Sequence, residues 1–224
     1  MIIEIFLLSI VALITIAIIL GTAYSLWIGY EQWQYMHDPH KMLFLSSSNK
    51  EIQEKLAQVI SNYVSETKNY NLVELGCGKA VILKYLTQKY SWKSVTGIEG
   101  QKSVWLQAWV NCTILPKLNI FAKKLPTCQR RSKSKTLGGL NKIRLLNQNI
   151  FDYTSKKPTF HYCYLGVKLM KELYDKGLFS DSIVVSLDYE IENLEPIKII
   201  QLETKGKIQN QLLVYKVSEE ANNL

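Results

Sequence analysis

From residue 49 onward the sequence alternates helix-like runs with short apolar runs, and this alternation limits the possible folds more than any other feature. Apolar or β-branched runs occupy 71–75, 94–99, 142–150, 159–165 and 182–189. Stretches with helical spacing of apolar residues occupy 49–65, 80–89, 102–112 and 167–177. Strands separated by helices of this length predict a parallel, doubly wound sheet.

The end of the chain departs from this alternation. Two β-rich runs, at 197–203 and 208–217, lie on either side of a Gly-containing turn at 204–207. This pattern predicts a hairpin, which leaves one strand antiparallel. We therefore predict an α/β fold whose seven-stranded, mostly parallel sheet ends in an antiparallel hairpin.

The first 30 residues form a segment of another kind. From Ile5 to Ile28 there is no charged residue, and a helix of this length can cross the roughly 30 Å hydrocarbon core of a membrane. A cleaved signal peptide is the alternative, since Ala23 and Ser25 form a small-x-small pattern. However, signal peptides begin with Lys or Arg and have an apolar part of about 7 to 15 residues. Five aromatic residues are concentrated around the carboxyl end of this segment, where they favour the headgroup layer or instead pack against the domain: Tyr24, Trp27, Tyr30, Trp33 and Tyr35.

We therefore expect a transmembrane anchor over 1–30, a connector over 31–48 and the α/β domain over 49–224. Cytoplasmic flanks of membrane helices carry an excess of Lys and Arg. No Lys or Arg precedes Lys41, and Lys50 and Lys55 follow it. This asymmetry predicts a single-pass protein of the cell membrane with its domain on the cytoplasmic side.

Positive charge is concentrated in one part of the chain. The net charge is +8, and residues 117–144 contain nine basic residues and no acidic one. We place a basic insertion at about 117–141 and consider three interpretations of it. The first is a solvated, partly disordered segment, the second is a contact with anionic lipid beside the anchor, and the third is a nucleic-acid-binding segment. The last ranks lowest, because Phe121 is its single aromatic residue and aromatic stacking usually supports such binding.

The four cysteines give no sign of a metal site. Cys77, Cys112, Cys128 and Cys163 form no C-x-x-C pair, and no His stands near them at metal-ligand spacing. We expect free thiols and no bound metal.

The stretch NLVELGCGKA, at 71–80, joins the first predicted strand to a helix through two glycines. A phosphate-binding P-loop requires G-x-x-x-x-G-K-[ST], but Val73 stands at its first glycine position and Ala80 at its hydroxyl position. A dinucleotide fingerprint requires G-x-G-x-x-G, and its last glycine position falls on Val81. The spacing therefore disfavours both of these phosphate-centred sites.

The same residues fit a third pattern, acid-x-G-x-G-x-G, with Glu74, Gly76, Gly78 and Ala80 at its four positions. This pattern resembles motif I of the class I S-adenosylmethionine-dependent methyltransferases. Ala80 stands at the predicted helix start, where we expect a methyl group to be tolerated. The second strand ends on Glu99, and the resemblance implies that its carboxylate accepts hydrogen bonds from both ribose hydroxyls of the cofactor.

The resemblance extends from about residue 50 to the end of the chain and includes the terminal hairpin. It implies S-adenosyl-L-methionine as the cofactor. Asn149 stands where the family usually has an acid near the adenine amine, and an amide oxygen can still accept that hydrogen bond. The implied cofactor-binding residues are Glu74, Gly76, Cys77, Gly78, Glu99, Asn149 and Ile150.

Motifs after the fourth strand bear on the methyl acceptor. Methyltransferases of adenine or glutamine amides usually carry [DN]-P-P-[YFW] there, whereas this chain reads YCYLGV at 162–167. The anchor, the W-x-x-x-W at 105–109 and the Y-x-x-x-x-L-M at 164–170 resemble a narrower group. These are the small membrane-anchored protein-lysine methyltransferases that modify the ATP synthase ring subunit and the adenine nucleotide translocase, with their bacterial relatives. A proline common in that group near 167–168 is absent, and the group lacks the basic insertion.

Tyr162 and Tyr164 are our candidates for orienting the acceptor amine, while strand alternation places His161 on the opposite face. Packing of a buried strand is the alternative role for both tyrosines. We weigh three functions: methylation of a lysine in a membrane or membrane-adjacent protein, methylation of a lipid headgroup or lipophilic small molecule, and a cofactor-binding scaffold without turnover. A protein substrate is expected and a nucleic-acid partner is not.

Overall fold

A computed structural model describes residues 2–37, 50–114, 143–203 and 211–218. The chain divides into two compact units, Met1–Leu43 and Phe44–Leu224. The predicted basic insertion, at about 117–141, lies outside the described residues, as do the later part of the connector and the turn at 204–207.

Helix α1, Ile2–His37, forms the first unit. It is longer than predicted, because residues 31–37 of the expected connector continue the helix. Its segment Ile3–Glu31 is long and apolar enough to cross a membrane, a property that signal sequences share. Hydroxyl groups along it donate to carbonyls one turn back, as Ser9 does to Ile5 and Thr15 to Val11. Such bonds leave few polar groups that need water.

The second unit alternates helices and strands as the sequence predicts. Its main elements are α2 Lys50–Tyr63, β1 Asn71–Leu75, α3 Val81–Lys89, β2 Ser94–Glu99, α4 Lys102–Trp109, β3 Ile143–Asn147, β4 Thr159–Cys163, α5 Val167–Asp175, β5 Ser182–Leu187, β6 Lys198–Gln201 and β7 Gln211–Val217. Several elements end earlier than predicted, and after two of them another kind of helical turn follows. A π-helix, Val110–Ile114, follows α4, and a 3-10 turn, Ile150–Asp152, follows β3.

The seven strands form one sheet in the order β3-β2-β1-β4-β5-β7-β6. The strands β1 to β5 run parallel, and β7 runs antiparallel to both β5 and β6. This order confirms the predicted doubly wound sheet with a terminal antiparallel hairpin.

Burial explains why the central strands read as apolar runs. Every residue of β1, β4 and β5 is buried, as expected for parallel strands covered on both faces. One face of the sheet, which we call the first face, packs against α2 and α3. The contacts involve Leu56, Leu83, Phe160, Tyr162 and Val185. The other face of the sheet, which we call the second face, packs against α5. The contacts involve Val73, Cys163, Met170, Phe179 and Val184.

The parallel strands β1 to β5 all end at one edge of the sheet, which we call the carboxyl edge. Helix α2 begins near this edge, because the Glu203 amide, just beyond β6, donates to Glu51 Oε1 at 2.5 Å. Its later turns approach the opposite edge, where Tyr90 Oη donates to the Ala57 carbonyl at 3.1 Å. The chain that precedes Lys50 therefore joins the domain at the carboxyl edge.

Candidate functional site

The loop between β1 and α3 leaves bare backbone at the carboxyl edge. Gly76 and Gly78 have φ values of 68° and 54°, a region that favours glycine. A Cβ added to Gly76 would lie 3.3 Å from Leu165 Cδ2, which follows β4. The Cys77 amide donates to the Ile98 carbonyl at 2.9 Å, so the loop is fixed against β2.

Ala80 corrects one detail of the sequence prediction. It does precede the first turn of α3, as expected, but its φ is 56°, in the left-handed region. Its side chain is fully buried. An alanine in this conformation costs about 1 kcal/mol relative to an unstrained backbone, so the methyl group is not a mild change from glycine.

Glu99, the last residue of β2, joins two loops of the carboxyl edge. Its Oε2 accepts the Gly78 amide at 3.0 Å, and its Oε1 accepts the Gln101 amide at 2.9 Å. A carboxylate offers about four acceptor positions in all, and these two amides show how Glu99 is held in place. The carboxylate that the sequence singled out thus lies directly beside the glycine loop.

Asn147 supports Glu99 and was not predicted from the sequence. It pairs with Glu99 across the β2–β3 ladder. Its Nδ2 donates to the carbonyls of Glu99 at 2.9 Å and Gly100 at 3.2 Å. The signal in the sequence is weak: a polar residue that ends a strand. Asn147 fixes the backbone that carries the Glu99 carboxylate.

Asn149 and Ile150 lie in the turn after β3, where the sequence predicted an adenine contact. Asn149 is exposed, and its Oδ1 accepts the Phe151 amide at 3.1 Å, which caps the 3-10 turn. Ile150 is half-buried and packs against the second face. The amide oxygen of Asn149 therefore already has a local donor, and its predicted contact with adenine stays a prediction.

Glu74 lies beneath the glycine loop and is buried. Its Oε2 accepts the Leu83 amide at 3.3 Å. Burial raises the pKa of this carboxyl well above its usual range, and the nearby Glu99 raises it further. A positive charge close to the buried carboxyl would favour its ionised form, and the ionised carboxylate would in turn attract that charge. The position therefore favours a cationic ligand.

Cys77 contributes backbone to the loop, and its thiol is buried. Burial raises the pKa of this thiol, and the charges of Glu74 and Glu99 raise it further. The thiol stays protonated at neutral pH, which excludes a thiolate nucleophile here. The described residues contain no cluster of His, Cys, Asp and Glu able to hold a metal, and Cys128 lies outside them.

The candidate residues of β4 differ in their exposure. Tyr162 is 1% exposed and packs in the first face, a position that favours a packing role. Tyr164 follows the strand, is half-buried, and stacks on Tyr189 with ring centroids 5.7 Å apart. Tyr189 is the second residue after β5, and no sequence pattern singled it out. Of the two tyrosines proposed to orient the acceptor amine, Tyr164 is thus the one that reaches the carboxyl edge.

His161 lies on the second face, 5.3 Å from the Phe179 ring. Burial lowers its pKa to about 3. Within the described residues, neither ring nitrogen has a hydrogen-bond partner. The imidazole is therefore neutral at physiological pH and is separated from the carboxyl edge by the core, so it is poorly placed to relay a proton.

Comparison with known proteins bears on the fold. No protein-family model matches the sequence, and a search of curated proteins gives no match. The structure is similar to an RNA methyltransferase from Salinibacter ruber in complex with S-adenosyl-L-homocysteine. The two share 16% identity with a TM-score of 0.56, over 78% of this chain and 95% of that one. It is also similar to the rRNA methyltransferase aviRa from Streptomyces viridochromogenes, with 9% identity and a TM-score of 0.55, over 79% and 88% of the two chains.

The chain has a methyltransferase-like fold. A third similarity, to the B. subtilis M1A22 tRNA methyltransferase TrmK, agrees with this, with 14% identity and a TM-score of 0.50, over 76% of this chain and 67% of that one. The glycine loop and Glu99 of the methyltransferase-like domain lie at the carboxyl ends of neighbouring strands, where ligands bind in open α/β sheets.

Proposed function

We propose that this chain is a membrane-tethered methyltransferase that uses S-adenosyl-L-methionine. Its acceptor is the side-chain amine of a lysine in a membrane or membrane-adjacent protein. The observation that carries the proposal is the Glu99 carboxylate, which binds the Gly78 amide at 3.0 Å within a methyltransferase-like fold.

The residues at the carboxyl edge fit this cofactor. Two backbone amides hold the Glu99 carboxylate beside the glycine loop, and a carboxylate is a suitable acceptor for ribose hydroxyls. Gly76 and Gly78 allow close approach of a ligand to the backbone. Glu74 favours a cation, and the cofactor carries both an ammonium and a sulfonium. When bound, the cofactor supplies an electrophilic methyl group to a neutral amine.

The protein's own part in such a reaction is alignment and removal of water. Tyr164 stands at the end of β4 next to Leu165, which contacts the Gly76 position. Its hydroxyl is suited to orienting an amine through a hydrogen bond. Neither the protonated thiol of Cys77 nor the buried imidazole of His161 is suited to act as a base. We propose that the amine therefore reaches the site already neutral.

Three features support an acceptor near a membrane. Helix α1 is long and apolar enough to span one. Only residues 38–49 separate His37 from Lys50, and an extended chain of that length reaches at most about 45 Å. The chain joins the domain at the carboxyl edge, where Glu51 bonds to Glu203. If α1 is an anchor, this tether keeps Lys50, the first residue of α2, within about 45 Å of the end of that helix.

RNA is the second candidate acceptor. Two proteins with similar structures are an RNA methyltransferase and an rRNA methyltransferase. The nine basic residues of 117–144 would attract phosphate groups. Since the likeness to these proteins is one of fold, we rank RNA below a protein acceptor.

The decisive experiment uses membranes from cells that express the full chain, incubated with cofactor radiolabelled in its methyl group. Protein, RNA and organic lipid fractions are then counted separately. We expect label in protein, recovered as methylated lysine after hydrolysis, and its loss in the Glu99→Ala variant. Glu66→Ala, an exposed carboxylate at the opposite edge, is the matched control and should label normally.

Each other outcome has a distinct meaning. Label in RNA supports the second candidate, and label in the lipid fraction supports a lipid acceptor. The absence of Glu99-dependent label from all three fractions contradicts methyltransferase activity.

A further inference from the structure

Two tyrosine rings stack at the ends of β4 and β5, and we call Tyr164 and Tyr189 the tyrosine pair. Their ring centroids lie 5.7 Å apart and their planes make an angle of 29°. Tyr164 packs against the first face and Tyr189 against the second. Both remain half-buried, so the pair keeps ring surface at the carboxyl edge.

The tyrosine pair lies next to the proposed methyl-transfer site. Leu165, the residue after Tyr164, is 3.3 Å from the position that a Cβ of Gly76 would take. A molecule that contacts the pair is therefore also close to the glycine loop.

The turn that carries Tyr189 is held by hydrogen bonds. The Asp188 amide donates to the Gln211 carbonyl at 3.0 Å, and the Gln211 amide returns a bond to Asp188 Oδ1 at 3.0 Å. Asp188 has a φ of 64°, and Ser186 Oγ donates to the Tyr189 carbonyl at 2.5 Å. A residue held in this conformation needs support from its surroundings, and here that support fixes the backbone of Tyr189.

The turn that carries Tyr189 is acidic. Residues 188–195, which we call the acidic turn, contain four acids and no base: Asp188, Glu190, Glu192 and Glu195. The last three are exposed. On the neighbouring helix α5, Lys171 interacts with Glu192 but is bonded to Asp175 at 2.8 Å, and Lys168 pairs with Glu172 at 4.0 Å. The acidic turn therefore carries more negative charge than these lysines can neutralise.

We propose that the tyrosine pair is the docking surface for the methyl acceptor and that it takes a cationic segment of a protein, steered there by the acidic turn. Aromatic faces attract ammonium and guanidinium groups, and nearby carboxylates add to that attraction. The phosphates of RNA or of an anionic lipid would be repelled by the same carboxylates. This inference rests on the proposed function and names the side chains that recognise its substrate.

The test measures binding of a fluorescent 12-residue Lys/Ala peptide to the full chain in detergent micelles by anisotropy, with and without S-adenosylhomocysteine. An acetyl-lysine version of the peptide and a 12-nucleotide RNA are compared. The charge variant combines Glu190→Gln, Glu192→Gln and Glu195→Gln. Its control combines Glu54→Gln and Glu66→Gln, exposed carboxylates of the same domain away from the tyrosine pair.

We expect the charge variant to weaken peptide binding about tenfold and the control to change it less than about twofold. Tyr189→Ala should weaken it about fivefold, while Tyr189→Phe, which keeps the ring, should bind like the wild type. Retention of S-adenosylhomocysteine binding by these variants would show that the domain is folded.

The inference is overturned if the charge variant binds the peptide as the wild type does. It is also overturned if the acetyl-lysine peptide binds as tightly as the Lys/Ala peptide. The same holds if Tyr189→Ala weakens binding of the RNA but not of the Lys/Ala peptide. Failure of the wild type to bind S-adenosylhomocysteine would contradict the proposed function instead, and the peptide titrations without cofactor would still decide the docking surface.

Discussion

Stability at acidic pH provides a sharp test of the core. His161 is fully buried in β4, between Val73 of β1 and Val184 of β5. Burial lowers its pKa from the ordinary 6.5 to about 3. In the unfolded chain the imidazole is solvated and regains its ordinary pKa. Between pH 6.5 and 3 the unfolded state therefore binds more protons than the folded state.

The sign and size of the effect follow from this difference. The contribution of His161 to folding is constant above pH 6.5 and is lost progressively as the pH falls toward 3. A pH of 5 lies 1.5 units below the ordinary imidazole pKa of 6.5, which His161 has in the unfolded chain. One unit corresponds to about 1.4 kcal/mol, so the loss between pH 8 and pH 5 is about 2 kcal/mol.

Replacing His161 by leucine removes this titration and keeps an apolar side chain of similar size. Urea unfolding of the full chain in detergent micelles, at pH 8 and pH 5, gives the free energy of unfolding for each protein. We expect the loss of stability on acidification to be about 2 kcal/mol smaller in His161→Leu than in the wild type. Phe160→Leu, a neighbouring core change without a titratable group, should be less stable but keep the full loss. Equal losses in the wild type and His161→Leu would refute the reasoning.

Further predictions concern the carboxyl edge. Alanine would adopt a positive φ in both Gly76→Ala and Gly177→Ala, so each variant should lose about 1 kcal/mol of stability. Calorimetry should show weaker binding of S-adenosylhomocysteine in Gly76→Ala and unchanged binding in Gly177→Ala. Asn147→Ala removes two hydrogen bonds behind Glu99 and should weaken the same binding about tenfold, whereas unchanged affinity would show that Asn147 has no such role. Affinity for S-adenosylmethionine should rise between pH 5 and pH 8 in the wild type and lose this slope in Glu74→Gln, because burial raises the pKa of Glu74.

Most of the sheet could be predicted because its central strands, β1, β4 and β5, are buried on both faces. β1 and β2 have the predicted bounds, since an apolar run bounded by polar residues is a local signal. The end of β3 was harder, because Asn149 caps a 3-10 turn that interrupts the apolar pattern. The helical continuation through residues 31–37 was missed, because a polar and aromatic composition alone does not end a helix.

The candidate site divides in the same way. Glu74, Gly76, Gly78 and Glu99 could be proposed as site residues because their spacing along the chain is itself the signal. Asn147 bonds to a carbonyl 48 positions away, and such a contact exists only after β2 and β3 pair. Ala80 was placed correctly, but its strained conformation depends on how the loop closes onto α3. Contacts made by tertiary structure therefore account for what the sequence could not reveal.

Binding of the cofactor at the glycine loop can be measured by calorimetric titration of the full chain in detergent micelles with S-adenosylhomocysteine. We expect saturable binding at one site in the wild type and in Glu66→Ala. We expect the affinity to fall about 100-fold in Glu99→Ala, since hydrogen bonds to a charged group contribute about 1.5 to 3 kcal/mol each. If the wild type does not bind, or if the wild type and Glu99→Ala bind with equal affinity, the site proposed at Glu99 is wrong.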